Sequence, residues 1–116
     1  MRGAQGPILE HVSAALTPDA ALERLAELLR GTHDAVVLDG AGTRLAGRTE
    51  LAEPAAALVR ATDAAALEVA DDRGAVFAVR DRDHAIVAVL GHPALPALVL
   101  YDLRILLDEL SERRAA

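Results

Sequence analysis

The chain contains no cysteine, lysine, asparagine or tryptophan, and only two aromatic side chains, Phe77 and Tyr101. Without cysteine there is no disulfide framework, no thiolate nucleophile and no sulfur-ligated metal, a usage that fits a reducing cytoplasm. Without lysine every basic residue is an arginine, and the net charge is -6 over 116 residues. Nucleic-acid binders concentrate positive charge on one face, so nucleic acid is not an expected partner. No apolar run reaches the roughly 20 residues that span a bilayer. The opening Met1-Arg2-Gly3-Ala4-Gln5-Gly6 carries one charge with no long apolar stretch behind it, unlike an export leader. A cytoplasmic protein that neither crosses nor binds a membrane is expected. Abundant alanine beside missing lysine and asparagine points to a GC-rich genome more than to any structural demand. At this length one domain with its own core is expected.

What is present is a run of three strands. Leu67-Glu68-Val69-Ala70, Ala75-Val76-Phe77-Ala78-Val79 and Ala85-Ile86-Val87-Ala88-Val89-Leu90 are joined only by the polar turns Asp71-Asp72-Arg73-Gly74 and Arg80-Asp81-Arg82-Asp83, the pattern of a meander. Upstream, Ala35-Val36-Val37-Leu38 turns through Asp39-Gly40-Ala41-Gly42 into Thr43-Arg44-Leu45-Ala46, which ends in Gly47, a hairpin. Helices are expected over residues 7–16, where Ile8, Leu9, Val12 and Leu16 share a face, and over 18–30. Thr17-Pro18-Asp19 supplies the second helix with a side-chain cap, a proline and an acid at its start. Its expected buried stripe is Leu22, Leu25, Ala26 and Leu29, with Gly31 as a left-handed C-terminal cap. A third helix is expected near 51–61, with Pro54 shifting its start toward Glu53. The last is expected over 97–113, burying Val99, Leu103, Leu106, Leu107 and Leu110, with Arg113 and Arg114 at its C-terminal end.

Strands 35–38, 75–79 and 85–90 are apolar on both faces and belong at the centre of a covered sheet, whereas Arg44 and Glu68 mark edges. Only the order 2-1-5-4-3 satisfies these assignments together with the hairpin links. The fold class is therefore α+β, a three-layer α/β/α sandwich around a five-stranded antiparallel sheet. Two long helices suffice for one face and leave a single alanine-rich helix for the other. Its small residues Ala55, Ala56, Ala57 and Ala61 permit close helix approach, so a second copy can complete that layer about a two-fold axis. The expected homodimer interface is Leu51, Ala55, Leu58, Val59 and Thr62 of that helix with Leu67, Glu68 and Val69 of the third strand.

No group of residues matches a catalytic, cofactor or metal motif, and no enzyme activity, cofactor or metal is expected. Gly40-Ala41-Gly42 is followed by a strand, not by a lysine and a helix, and reads as a hairpin turn rather than a phosphate loop. His11, His33, His84 and His92 are scattered, with no pair at helical metal-binding spacing. Asp71-Asp72 and Asp81 with Asp83 lie at opposite ends of the fourth strand and read as solvated turn residues. Ser13 and Ser111 lie on expected helices without a nucleophile elbow. Tyr101-Asp102 is a polar pair at the start of the last helix, its tyrosine expected at the protein rim.

Laid out from Thr17 to Arg114 as helix, hairpin, helix, meander and long helix, the chain resembles the roadblock family, the dynein light-chain roadblock domain. The resemblance rests on the hairpin His33-Asp34-Ala35-Val36-Val37-Leu38-Asp39-Gly40-Ala41-Gly42-Thr43-Arg44-Leu45-Ala46 and on Leu98-Val99-Leu100-Tyr101-Asp102-Leu103-Arg104. It implies residues 1–16 as an extension and 17–116 as a roadblock-like, profilin-like domain. It also implies a homodimer through the helix near 51–61 and the third strand, and a scaffold or regulator of a Ras-like small GTPase, with which bacterial members associate. The segment Ile8-Leu9-Glu10-His11-Val12-Ser13-Ala14-Ala15-Leu16-Thr17 is similar to the opening of GAF domains, which implies a small-molecule sensor as the alternative. Ligand-sensing GAF domains close a pocket with an insertion between the third and fourth strands. Here only Asp71 to Gly74 lies there, and two aromatics are few for a pocket wall.

Overall fold

A computed structural model of the chain describes residues 16–91 and 95–115. The expected helix over 7–16, apart from Leu16, lies outside the described residues with His11 and Ser13. So do His92, Pro93 and the side chains of Arg113 and Arg114.

Helix α1 spans Pro18–Leu28, opened by Thr17, whose hydroxyl accepts the Ala20 N–H at 3.1 Å. Its buried stripe is Ala21, Leu25 and Leu29, with Leu22 half-buried, while Ala26 faces solvent. The stripe runs at strict four-residue spacing, one position from the expected one. Gly31 is not a left-handed cap, since the described positive-φ glycines are Gly42, Gly47 and Gly74. The helix ends instead at Leu29 (φ -120), whose carbonyl accepts both the Thr32 N–H and the Thr32 hydroxyl.

Strand β1 spans Thr32–Asp39, longer than its apolar stretch because backbone pairing with the fifth strand continues to Thr32 opposite Leu90. Strand β2 covers Arg44–Gly47. Gly47 has φ +103, and a Cβ there would collide with the Ala35 carbonyl, so glycine is required where β2 closes onto β1. Helix α2 runs Thr49–Arg60 with Pro54 inside it. The expected shortening at Pro54 does not occur. Pro54 is exposed, and the flanking Ala55 and Ala56 are buried against the sheet, so packing holds the helix through the lost N–H. Pro54→Ala is expected to raise stability by about 1 kcal/mol by restoring that bond, measured by urea unfolding.

Strands β3 (Ala66–Asp71), β4 (Gly74–Arg80) and β5 (His84–Leu90) form the meander, and α3 spans Pro96–Ala115. The sheet is antiparallel in the order β2-β1-β5-β4-β3, as the sequence predicts. Alternation divides its two faces. Val37, Phe77, Val79, Ile86 and Leu90 pack under α1 and α3 with Leu25, Leu103, Leu106 and Leu107. Val36, Leu38, Ala78, Ala85 and Val87 pack under α2, the one described helix on that face.

Candidate functional site

On the α2 face the described residues leave the cover incomplete. The helix lies over β1 and β2, with Arg60 on one flank beside the β1–β2 turn at Gly42. Leu51 and Leu58, seven residues apart on the opposite flank, remain half-buried and look toward β4 and β3. Beyond them no described helix continues the layer. Pairing places Val69 beside Val76 and Val76 beside Val89, and the alternation of both strands puts this row on the α2 face. Val76 and Val89 are half-buried and Val69 is 52% exposed. At one end the row opens into a surface groove of about 360 Å³ lined by Val69, Val76, Val89, His33, Asp71 and Arg73.

The strand beside this surface is the least protected element of the sheet. Every residue of β3 except Leu67 is exposed, and Leu67 is half-buried. Its outer edge is paired with no described strand, and the ladder's parity shows what that edge offers. The Arg80 N–H donates to the Ala65 carbonyl, so Ala65, Leu67, Val69 and Asp71 bond inward to β4. Ala66, Glu68 and Ala70 therefore turn their backbone N–H and C=O outward.

Of the residues expected at a dimer interface, Leu67 and Val69 lie on the open face and Glu68 points to the opposite face of the edge. Leu51, Leu58 and Val59 are half-buried beside the opening, and Thr62 follows the helix end. Ala55 is 2% exposed and is spent in the core of its own chain. Val76 and Val89 escaped sequence reasoning because their strands read as uniformly apolar, although their register with Val69 marks them.

Two polar arrangements were also hidden in the sequence. Arg80 Nη1 donates to the Val59 and Thr62 carbonyls at 2.6 Å each, a cationic clamp on the α2 C-terminus. At the β4–β5 turn, Ser111 Oγ donates to Asp81 Oδ2 at 2.8 Å and lies 3.1 Å from His84 Nδ1. The serine sits between acid and imidazole and its proton goes to the carboxylate, whereas a nucleophilic triad needs the imidazole in the middle. This cluster fastens α3 to the turn. Burial pushes the Asp81 carboxyl up, but hydrogen bonds from Ser111 and from the His84 and Asp83 amides, with the His84 charge, outweigh it and hold the carboxyl below its ordinary value. A lowered folded value means that this stabilisation is present above the ordinary carboxylate range and disappears as pH falls through the folded value. Ser111→Ala is expected to cost about 1 kcal/mol at pH 7, with the difference from the parent shrinking in acid, followed by thermal unfolding across pH.

The glycine-rich turn offers nothing to an anion. Asp39 Oδ1 accepts the Ala41 and Thr43 N–H groups at 2.9 Å, and the Gly42 N–H bonds the Asp39 carbonyl. Asp71 and Asp81 accept turn amides in the same way, which gives all three hairpin turns one design. Among the described residues no polar or charged side chain is buried, and no group of three potential ligands is placed to hold a metal ion. No described helix is long and apolar enough to cross a membrane. Tyr101, 61% exposed, joins Leu95 and Leu98 at the start of α3, in the layer opposite α2.

No family model matches the sequence, and no curated protein matches it. Solved structures match its fold. A Roadblock/LC7 domain from Streptomyces avermitilis superposes with a TM-score of 0.69 at 18% identity, covering 86% of this chain and 99% of that one. MglB from Myxococcus xanthus gives a TM-score of 0.71 at 15% identity, covering 84% and 86%. Profilin IB from Acanthamoeba castellanii gives 0.58 at 13% identity, covering 79% and 94%. The chain has the Roadblock/LC7 fold, in an architecture shared with profilin.

Proposed function

We propose that the protein is a non-enzymatic homodimeric interaction module of the roadblock type, acting in the cytoplasm as a scaffold or regulator of a Ras-like small GTPase. The observation that carries this reading is the half-covered sheet face beside an edge strand exposed on nearly every residue. A valine row left half-wet costs free energy that a second copy recovers by burial, at roughly 25 cal/mol per Å² of apolar surface. Pairing two β3 edges continues the sheet across a two-fold axis and brings the Leu51 and Leu58 flanks of two α2 helices toward each other. Leu67, Val69, Val76 and Val89 then form the floor beneath them.

The GTPase is supported by the resemblance of the hairpin and closing helix to roadblock sequences and by the fold shared with MglB. A surface assembled from two α2 helices exists only in the dimer, so partner binding requires dimerisation. Light scattering on the purified chain should report twice the monomer mass, and a monomer at tens of micromolar would remove the proposal. A Ras-like GTPase from the same cells, loaded with a non-hydrolysable GTP analogue, should bind the dimer and fail to bind a monomeric variant. No binding in either nucleotide state would remove the GTPase from the account.

A further inference from the structure

We infer that the two-fold axis passes through Glu68, so that Glu68 of one protomer faces Glu68 of its partner and limits the strength of self-association. This rests on the dimer proposed above and adds to it a specific pairing.

The strand carries the evidence in its own order of residues. An antiparallel strand that pairs with itself about residue k sets each residue opposite the one equally far on the other side of k, so the sequence must complement its own reversal. Around Glu68 the chain reads Ala66-Leu67-Glu68-Val69-Ala70. Ala66 then meets the partner's Ala70, and Leu67 meets the partner's Val69, twice over. Both Leu67–Val69 pairs fall on the open face, and the alanine pairs fall on the opposite one with Glu68.

The hydrogen bonds agree. Ala66, Glu68 and Ala70 are the outward-directed residues, and an axis at Glu68 pairs all of them with outward-directed residues of the partner. Moving the axis to Leu67 pairs Ala66 with the partner's Glu68 but sets Ala70 and Asp71 against the loop that follows α2. Moving it to Val69 sets Leu67 against the partner's Asp71. An axis between two residues slips the register by one and places apolar residues on the wrong face.

The favoured register has one cost. Glu68 is exposed, makes no ion pair with a described residue, and has Ala66 and Ala70 as its same-face neighbours on the strand. Two such carboxylates directly opposite each other repel. Glu68 thus limits the affinity of a strand that is otherwise small and apolar, and it marks the position where an oppositely charged partner strand would be preferred.

The absence of cysteine makes the test clean. Single variants Ala66→Cys, Glu68→Cys and Ala70→Cys, each carrying a nitroxide label, should give the shortest label-to-label distance at position 68. Positions 66 and 70 should be longer and equal, by about 13 Å of strand for a four-residue offset. Equal distances at 66 and 68, or at 68 and 70, would move the axis to Leu67 or Val69 and overturn the inference while leaving the dimer intact. No short distance at any position, in a protein that scatters light as a monomer, would overturn the dimer itself. In parallel, Glu68→Gln should tighten self-association about two- to five-fold at low salt, and raised salt should tighten the parent more than the variant. An unchanged or weaker E68Q dimer contradicts the facing carboxylates.

Discussion

Val69→Arg is expected to turn the dimer into a monomer, weakening self-association at least about 100-fold. Val69 is 52% exposed within one protomer, so the folded subunit accommodates a long polar side chain there at little cost. In the dimer each Val69 meets the partner's Leu67, and the change enters twice because the contact is isologous. Each copy loses about 1 kcal/mol of apolar burial and forces a guanidinium against valine and leucine, so a total of about 3 kcal/mol is a modest expectation. Sedimentation equilibrium gives the affinity, and urea unfolding of the monomeric variant shows whether the subunit is intact. A variant that unfolds rather than dissociates would show that Val69 supports the protomer.

Arg80→Met should destabilise the protomer by about 2–3 kcal/mol, lowering its melting temperature by about 10 °C. The clamp spans from β4 to the end of α2, where Nη1 reaches the Val59 and Thr62 carbonyls at 2.6 Å. Methionine keeps most of the aliphatic bulk but leaves both carbonyls without their donor at a part-buried helix end, and a cation near the negative end of the helix dipole is lost as well. Arg80→Lys should recover part of the loss, because an ammonium donates there without the planar guanidinium. Since the clamp fixes α2 beside the open face, Arg80→Met is expected to weaken dimerisation too, and a variant with unchanged stability would show the clamp to be ornamental.

Much of this fold is legible in the residues themselves. The strand order follows from where charges interrupt apolar alternation, since Arg44 and Glu68 can sit only where a strand is uncovered. The shortage of helices on one face follows from counting apolar stripes. Sequence reasoning fails where tertiary context overrides a local rule. Pro54 argues for a short helix, yet Ala55 and Ala56 are held against Val36 and Leu38, so α2 starts at Thr49. Gly31 invites a left-handed cap, but the Leu29 carbonyl already has the Thr32 backbone and hydroxyl as partners. Arg80 and the Asp81–Ser111–His84 cluster join residues at least 18 positions apart in sequence, apart from the turn contact itself, and no spacing rule links them. The candidate interface is half visible. Leu67 and Val69 declare themselves by exposure on an edge, whereas Val76 and Val89 join them only through register.

Whether a second copy pairs with β3 and roofs the open valine row is decided by amide hydrogen exchange along that strand. The Leu67 and Val69 amides bond to β4 within the protomer and provide an internal reference. The outward amides of Ala66, Glu68 and Ala70 should be protected at high protein concentration and lose that protection on dilution or in the Val69→Arg variant. Outward amides that exchange at the rate of an unpaired strand at every concentration would contradict the account.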